Sequence, residues 1–398
     1  MKTVKDKTES NRGGKGFNAL NLPVHRASTI VFDSTQSFLS RKSQLFDGFS
    51  YGLYGTPTTK ALEEQIVLIE GGKRALLLPS GLAALTHALL AFLKSGDHVL
   101  VADCVYGPTR AFCESTLGSL GIGVTFFSAS ADSVKALLTP TTRMVLLESP
   151  GSFTSEIQEI AAICEQAHRA KALVLMDNTW GFGNARLFEH GVDIVCTALS
   201  KYASGHSDVC MGSVTVNAEE LYRSLKTFVT GMGSGVSSDD AYLVMRGLST
   251  LEVRMAEHAR RGLALTQWLR ERHEVKAVMN PAAPGDRYFA RFGRYFSSGN
   301  GLVSLVLKSR DLAAISAMID GFRHFRIGAS WGGTTSLVAL GDLSNARSVE
   351  PHPEGSYIMR LHVGLEPIEL LYEDLREGFA RLKAFDSRRA ARTPKSAA

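Results

Sequence analysis

Between Thr59 and Val216, seven short apolar runs alternate with segments of helical pattern. The runs are Ala75 to Pro79, His98 to Ala102, Val124 to Ser128, Met144 to Glu148, Leu173 to Asp177, Ile194 to Ala198 and Gly212 to Val216. Most are apolar at consecutive positions, a pattern that suits a strand whose sheet is covered on both faces. Helical patterns lie between them at Lys60 to Glu70, Gly81 to Leu93, Pro108 to Leu120 and Ser155 to Arg169. Strand and helix in turn predict an α/β domain: a mostly parallel, seven-stranded, doubly wound sheet with helices on both faces.

A chain of 398 residues is longer than a single core of roughly 250–300 residues usually supports, so a second, smaller unit is expected. Residues 1–58 have few periodic segments and read as an extended arm. Such an arm must pack on the body of the protein or on a second subunit to offset its ordering entropy. The α/β domain is assigned to 59–254 and a smaller C-terminal α+β domain to 255–386. The latter is marked by a long helix from Met255 to Arg272, strands near Leu302 to Leu307 and Ile358 to Val363, and helices at Asp311 to Ile319 and Ile368 to Phe385. Residues 387–398 are basic and rich in small side chains, and are expected to form a mobile tail.

Composition narrows the function classes. A formal net charge of +5 is small for this length and sits partly in the final segment, which argues against nucleic acid as a partner. Five cysteines without a CxxC pair or zinc-type spacing read as free thiols in a reducing cytosol, with no metal site. No apolar stretch suits a signal peptide or a bilayer span, so a cytoplasmic protein with no membrane partner is expected.

Ligands of open α/β sheets bind beyond the carboxyl ends of the strands, and three of those ends carry polar groups. Pro79-Ser-Gly-Leu-Ala83 is either a tight strand-to-helix turn or a set of amides facing an anion. Asp177 is either a helix cap or an acid at the end of an apolar strand. Lys201, in Ser200-Lys-Tyr-Ala-Ser-Gly-His-Ser-Asp208, is either a solvated loop lysine or an amine able to form a Schiff base. Taken together, an anion cradle, an acid and an amine match the phosphate, the ring nitrogen and the aldehyde of pyridoxal 5′-phosphate (PLP).

The sequence resembles the PLP-dependent enzymes of cysteine and methionine metabolism, from about Leu22 to Phe385. The resemblance rests on Tyr51-Gly-Leu-Tyr-Gly-Thr, Pro79-Ser-Gly, Asp103-Cys-Val-Tyr-Gly-Pro, Leu147-Glu-Ser-Pro-Gly, Met176-Asp-Asn-Thr-Trp, Ser200-Lys-Tyr-Ala-Ser-Gly-His-Ser-Asp, Ser330-Trp-Gly-Gly and Met359-Arg-Leu-His-Val-Gly-Leu-Glu. It implies the fold type I architecture of PLP-dependent transferases and assigns roles to matching positions. Lys201 holds the cofactor covalently and becomes the mobile acid and base; Asp177 pairs with the ring nitrogen. Tyr106 stacks on the ring, while the Gly81 and Leu82 amides and the Ser200 hydroxyl hold the phosphate. Arg360 clamps the substrate carboxylate, Ser330 and Trp331 shape the substrate side, and Tyr51 reaches the site of a neighbouring subunit. A homotetramer built from dimers with shared sites is the implied assembly.

The resemblance also implies a reaction: β-elimination of L-cystathionine to homocysteine, pyruvate and ammonia, as in methionine biosynthesis. Members specialised for γ-chemistry, the runner-up, tend to carry Glu where this chain has Ala329, and Trp331 resembles the β-lyase version. Departures are also evident. Leu53 stands where many members place an arginine that reaches the phosphate, with Tyr54 as a candidate substitute. Ala198 stands where a hydroxyl is frequent, and Ala329 and Thr335 replace the Tyr and Glu usual in the β-lyase pattern. A nicotinamide oxidoreductase is a remote alternative, because Gly181-Phe-Gly-Asn-Ala-Arg186 lacks the last glycine of the dinucleotide fingerprint and follows a late strand.

Overall fold

The computed structural model of the chain describes residues 19–349, 351–352 and 357–392, with side chains to residue 385. The seven expected strands are present as β1 (Arg74–Leu78), β2 (His98–Ala102), β3 (Gly123–Phe127), β4 (Thr142–Glu148), β5 (Leu173–Asp177), β6 (Ile194–Ala198) and β7 (Gly212–Val216). They form one sheet in the order β1-β7-β6-β5-β4-β2-β3. The pairs from β3 through β2, β4 and β5 to β6 are parallel, and only β7 runs antiparallel to both of its neighbours.

The helices are α1 (Thr35–Leu39), α2 (Pro57–Glu70), α3 (Gly81–Phe92), α4 (Gly107–Ala111), α5 (Ile160–Arg169), α6 (Glu219–Gly231), α7 (Ser238–Leu248), α8 (Leu251–Arg270), α9 (Phe289–Tyr295), α10 (Leu312–Asp320) and α11 (Ile368–Arg392). Local chemistry sets their ends. Thr56 and Thr59 form a reciprocal capping box with Pro57 at the first turn of α2, and Gly71 closes that helix at φ 80°. Ser80 caps α3 by accepting the Ala83 N–H. Helices bury apolar side chains on both faces of the large sheet. On β1, Leu76 and Leu78 join the core that contains Leu85 and Leu89 of α3, while the alternate residues Ala75 and Leu77 join the core of Leu62, Ile66, Val244 and Met245 from α2 and α7.

A second sheet has the order β10-β11-β12-β9-β8, with β8 (Val275–Met279), β9 (Leu302–Leu307), β10 (Arg326–Ile327), β11 (Leu337–Asp342) and β12 (Tyr357–His362). Its own core joins Leu265, Leu305, Met318, Leu361 and Leu375. Described arm residues carry α1 and short 3-10 turns at Arg41–Gln44 and Gly52–Tyr54, none of which buries a residue.

Boundaries differ from expectation at several helices. Helix α8 begins at Leu251 rather than Met255, so the 254/255 division falls inside a helix, and the helix expected over 108–120 continues from α4 as a π-helical stretch, Phe112–Leu117. Helix α5 begins at Ile160 rather than Ser155, because 155–159 are committed elsewhere. Ser155 has φ 60°, and buried Gln158 donates to Ala129 O at 2.7 Å. Helix α11 runs on to Arg392, so the expected tail from 387 begins inside a helix. Its last residues, 393–398, lie outside the described residues, as do arm residues 1–18.

Candidate active site

A cavity of about 370 Å³ opens at the carboxyl ends of the large sheet's parallel strands, where the second sheet faces them. Its lining includes Gly81, Leu82, Tyr106, Asp177, Ser200, Lys201, Ser330, Trp331 and Arg360. Tyr51 is the one predicted site residue that the single chain leaves outside. The residue is 42% exposed, and its ring meets that of Tyr54 edge-on at 5.7 Å.

The first wall belongs to the large sheet. Ser80, Gly81 and Leu82 stand at the start of α3, where backbone N–H groups have no partner within the helix. Gly81 leaves this corner open: a Cβ there would collide with the Ala198 Cβ and stand 2.9 Å from its Cα. Ser200 lies beside it, its hydroxyl bonded to the Met211 N–H at 3.0 Å and Met211 O at 3.2 Å.

Asp177 ends β5 with its carboxylate buried and accepting the Thr179 N–H at 2.9 Å. Burial raises its pKa, while the Thr179 bonds and the Lys201 charge pull the other way. Glu148, beside it in strand register, accepts the Tyr106 N–H at 2.7 Å and is held well above the ordinary carboxylate range by burial, then by Asp177.

Lys201 lies between the two walls. Its Nζ donates to Ser330 Oγ at 2.7 Å and sits 5.5 Å from the centre of the Trp331 ring. Burial, then the Arg360 charge, lowers its pKa to about 8, close to the range where an amine both gives and takes protons near neutrality.

The second wall is the 329–333 turn and β12. Gly332 takes φ 90°, and a Cβ there would stand 2.7 Å from Tyr202 N, so only glycine lets the turn lie against the lysine loop. Buried His362 holds the same turn, its Nε2 2.9 Å from Gly333 O. Arg360, buried on β12, donates from Nη2 to Ala329 O at 2.7 Å, and burial lowers its pKa to about 10.

These features fit a phosphorylated pyridine aldehyde. The cradle has unpartnered amides and no room for a side chain, a buried carboxylate faces the cavity, and an amine of lowered pKa stands within it. The model of the Cys/Met metabolism PLP-dependent enzymes matches residues 2–380. The chain belongs to that family. Its cofactor is pyridoxal 5′-phosphate, as the family's chemistry requires.

Relatives of similar identity carry different names. It is 38% identical over 373 residues to a cystathionine β-lyase of Bordetella avium, covering 92% of this chain and 93% of the relative. It is 35% identical over 407 residues to an L-alanine/L-glutamate racemase of Wolbachia pipientis, covering 97% and 99%. The solved structure of metB from Corynebacterium glutamicum superposes with TM-score 0.84 at 25% identity, over 93% of this chain and 95% of that one. This is the fold type I architecture the sequence predicts.

Several lining residues carry no role in the sequence reading: Glu148, Phe153, Thr179 and Cys210. Glu148 was within reach of the rule that found Asp177, since it too is an acid ending an apolar strand. Thr197 does not replace the hydroxyl missing at Ala198, because its own hydroxyl donates to buried Glu70 at 2.7 Å. Tyr54 and Leu53 are absent from the cavity lining, and the Tyr54 carbonyl accepts Lys226 Nζ at 2.6 Å.

Proposed function

We propose that this enzyme is a carbon–sulfur lyase that cleaves L-cystathionine by β-elimination, releasing homocysteine, pyruvate and ammonia. The observation that carries the reading is the placement of Lys201 Nζ, 2.7 Å from Ser330 Oγ in a cavity that also contains Arg360. One amine thereby serves the reacting carbon while a guanidinium receives the carboxylate. PLP, when bound, supplies the electron sink for the bond broken at the α-carbon.

The protein's own residues supply the rest. Gly81 and Leu82 amides, with Ser200, hold the phosphate, which requires the Ser200 hydroxyl to turn from Met211. Asp177 holds the proton on the ring nitrogen, a task that suits a carboxylate buried away from water. Tyr106 covers the ring face, and its N–H contact with Glu148 fixes where it begins α4. Lys201 takes the α-proton and returns a proton to the departing sulfur. Arg360 binds the α-carboxylate through a paired fork, which a lysine would do less well. Ser330 and Trp331 bound the substrate side.

The choice of β- over γ-chemistry rests on the acids. Among the described residues, the carboxylates lining the cavity are Asp177 and Glu148, both on the sheet wall, and Ala329 offers none on the substrate side. Incubating the cofactor-loaded enzyme with L-cystathionine and identifying the keto acid tests the reading. Pyruvate with homocysteine is expected. 2-Oxobutyrate with cysteine would move the assignment to a γ-lyase, and D-alanine formed from L-alanine as the faster turnover would move it to a racemase.

The same reading includes a second copy of the chain. Leu20, Val31, Leu39, Tyr51 and Leu53 are exposed on the arm, an apolar series that a partner subunit would cover, bringing Tyr51 to its site. A homotetramer of paired dimers is the proposed assembly, to be checked by light scattering. Five free thiols support a reducing compartment, the cytoplasm. No helix among the described residues is long and apolar enough to cross a membrane.

A further inference from the structure

The turn from Gly151 to Ser155 departs twice from ordinary backbone. Phe153 and Ser155 have φ values of 65° and 60°, in a left-handed region that is strained for a bulky side chain. Surrounding contacts enforce it. The Gly151 N–H donates to Glu156 O at 2.8 Å, the Ser152 N–H to Cys104 O at 3.0 Å, and the Thr154 hydroxyl bonds Glu156.

The strained turn delivers the Phe153 ring to the cavity, with the guanidinium carbon of Arg360 4.5 Å from the ring centre. Gly341 on β11 makes space for it, since a Cβ there would stand 2.9 Å from two of the ring carbons. Arg360 needs such a support. It is a buried cation with no carboxylate in ion-pair contact among the described residues, and one of its guanidinium nitrogens is tied to Ala329 O. A desolvated guanidinium over an aromatic face gains most from the ring when no anion competes.

We propose that Phe153 is a positioning residue for substrate recognition: its ring, lying against the guanidinium, fixes the orientation in which Arg360 meets the substrate's α-carboxylate. This deepens the function proposed above and rests on the reading of Arg360 as the carboxylate clamp.

The test uses holoenzyme and two ligands that cannot undergo elimination: L-alanine, which has an amine and a carboxylate, and ethylamine, which lacks the carboxylate. Binding is read from the absorption of the bound cofactor. Phe153→Leu is expected to raise the Kd for L-alanine by roughly 10- to 30-fold, the range of a desolvated cation–π contact, and to leave ethylamine within about 2-fold. Phe153→Tyr, which keeps the ring, is expected to stay within about 3-fold for both. Should Phe153→Leu fail to fold, Phe153→Met makes the same comparison. Equal weakening of both ligands, or a Leu variant that binds L-alanine as well as the parent, overturns the proposal. Arg360→Gln separates the two layers. If it leaves L-alanine binding intact, the clamp reading itself is overturned. If it weakens L-alanine while Phe153→Leu does not, only the role of Phe153 is lost.

Discussion

The two walls of the cavity are held in different ways. Asp177 and Lys201 sit at the ends of β5 and β6, whose apolar residues are nearly inaccessible on both sheet faces. Ser330 and Arg360 belong to the second sheet and its turns, which polar contacts tie to the large domain. Asp103 accepts the Ser348 N–H and the Val349 N–H at 3.1 and 3.0 Å, and buried Arg347 pairs with buried Glu156 at 3.1 Å. Packing fixes the groups proposed to hold the cofactor; Arg360 likewise sits in a buried strand of the second core, and hydrogen bonds to Asp103 with one buried ion pair join that wall to the large domain.

Lys201 is where the walls meet, so its removal should have the largest effect. Lys201→Ala is expected to slow pyruvate release by roughly 10⁴-fold, the upper end for a general acid–base group, while Asp177 and the Gly81 cradle still take up cofactor. Pyruvate assay and cofactor absorption check both halves, and normal turnover would remove the residue from the chemistry. Breaking the buried ion pair should come next. Arg347→Ala removes the guanidinium from the buried Glu156 carboxylate, leaving it the Thr154 hydroxyl and His352 Nε2 at 3.8 Å, and is expected to cost about 3 kcal/mol of stability, seen as a lower midpoint in urea. Arg347→Met with Glu156→Leu should lose less than either single change, because no charge is then stranded. If the double variant fares worse, the contact stabilises in its own right.

The contrast between the walls also decides what the sequence could reveal. The runs at 98–102, 173–177, 194–198 and 212–216 coincide with their strands because each is buried from nearly end to end. Strand β8 gives no such signal, since it is half-covered and mixed in composition, whereas β11 opens on the apolar run Leu337–Leu340, a signal the sequence carries although the strand is only half-covered. Asp177 and Lys201 follow from the strand-end rule and chemistry alone, whereas Arg360 and Ser330 need the family resemblance, because nothing local marks them. Phe153 could not be found either way: its role depends on a left-handed φ and on the distant Gly341, neither visible in a string of residues. Glu70, inside a helical pattern, looks like any surface acid until β6 and the turn after β5 close over it.

Glu70 offers the finest test of how the sheet wall is held. Its carboxylate, at the end of α2, accepts from Thr197 Oγ1 at 2.7 Å and Asn178 Nδ2 at 2.8 Å, tying β6 to the residue after Asp177. Burial is the largest cause of a pKa raised from 4.5 to about 7; the two hydrogen bonds and Arg186 lower it, and Asp177 adds to the rise. An acid whose folded pKa lies above its unfolded one contributes stability that is fully present below pH 4.5 and is lost as pH climbs through about 7. Between pH 5 and pH 8 that loss is roughly 2–3 kcal/mol for this group. Glu70→Gln keeps the shape, accepts from Asn178 and donates to Thr197, and has no charge to bury. The variant should therefore lose less stability than the parent over that interval, with kcat on L-cystathionine within about 3-fold of the parent. Denaturation midpoints at the two pH values decide it. Parallel curves would mean that water reaches this corner and that packing alone does not hold the sheet wall.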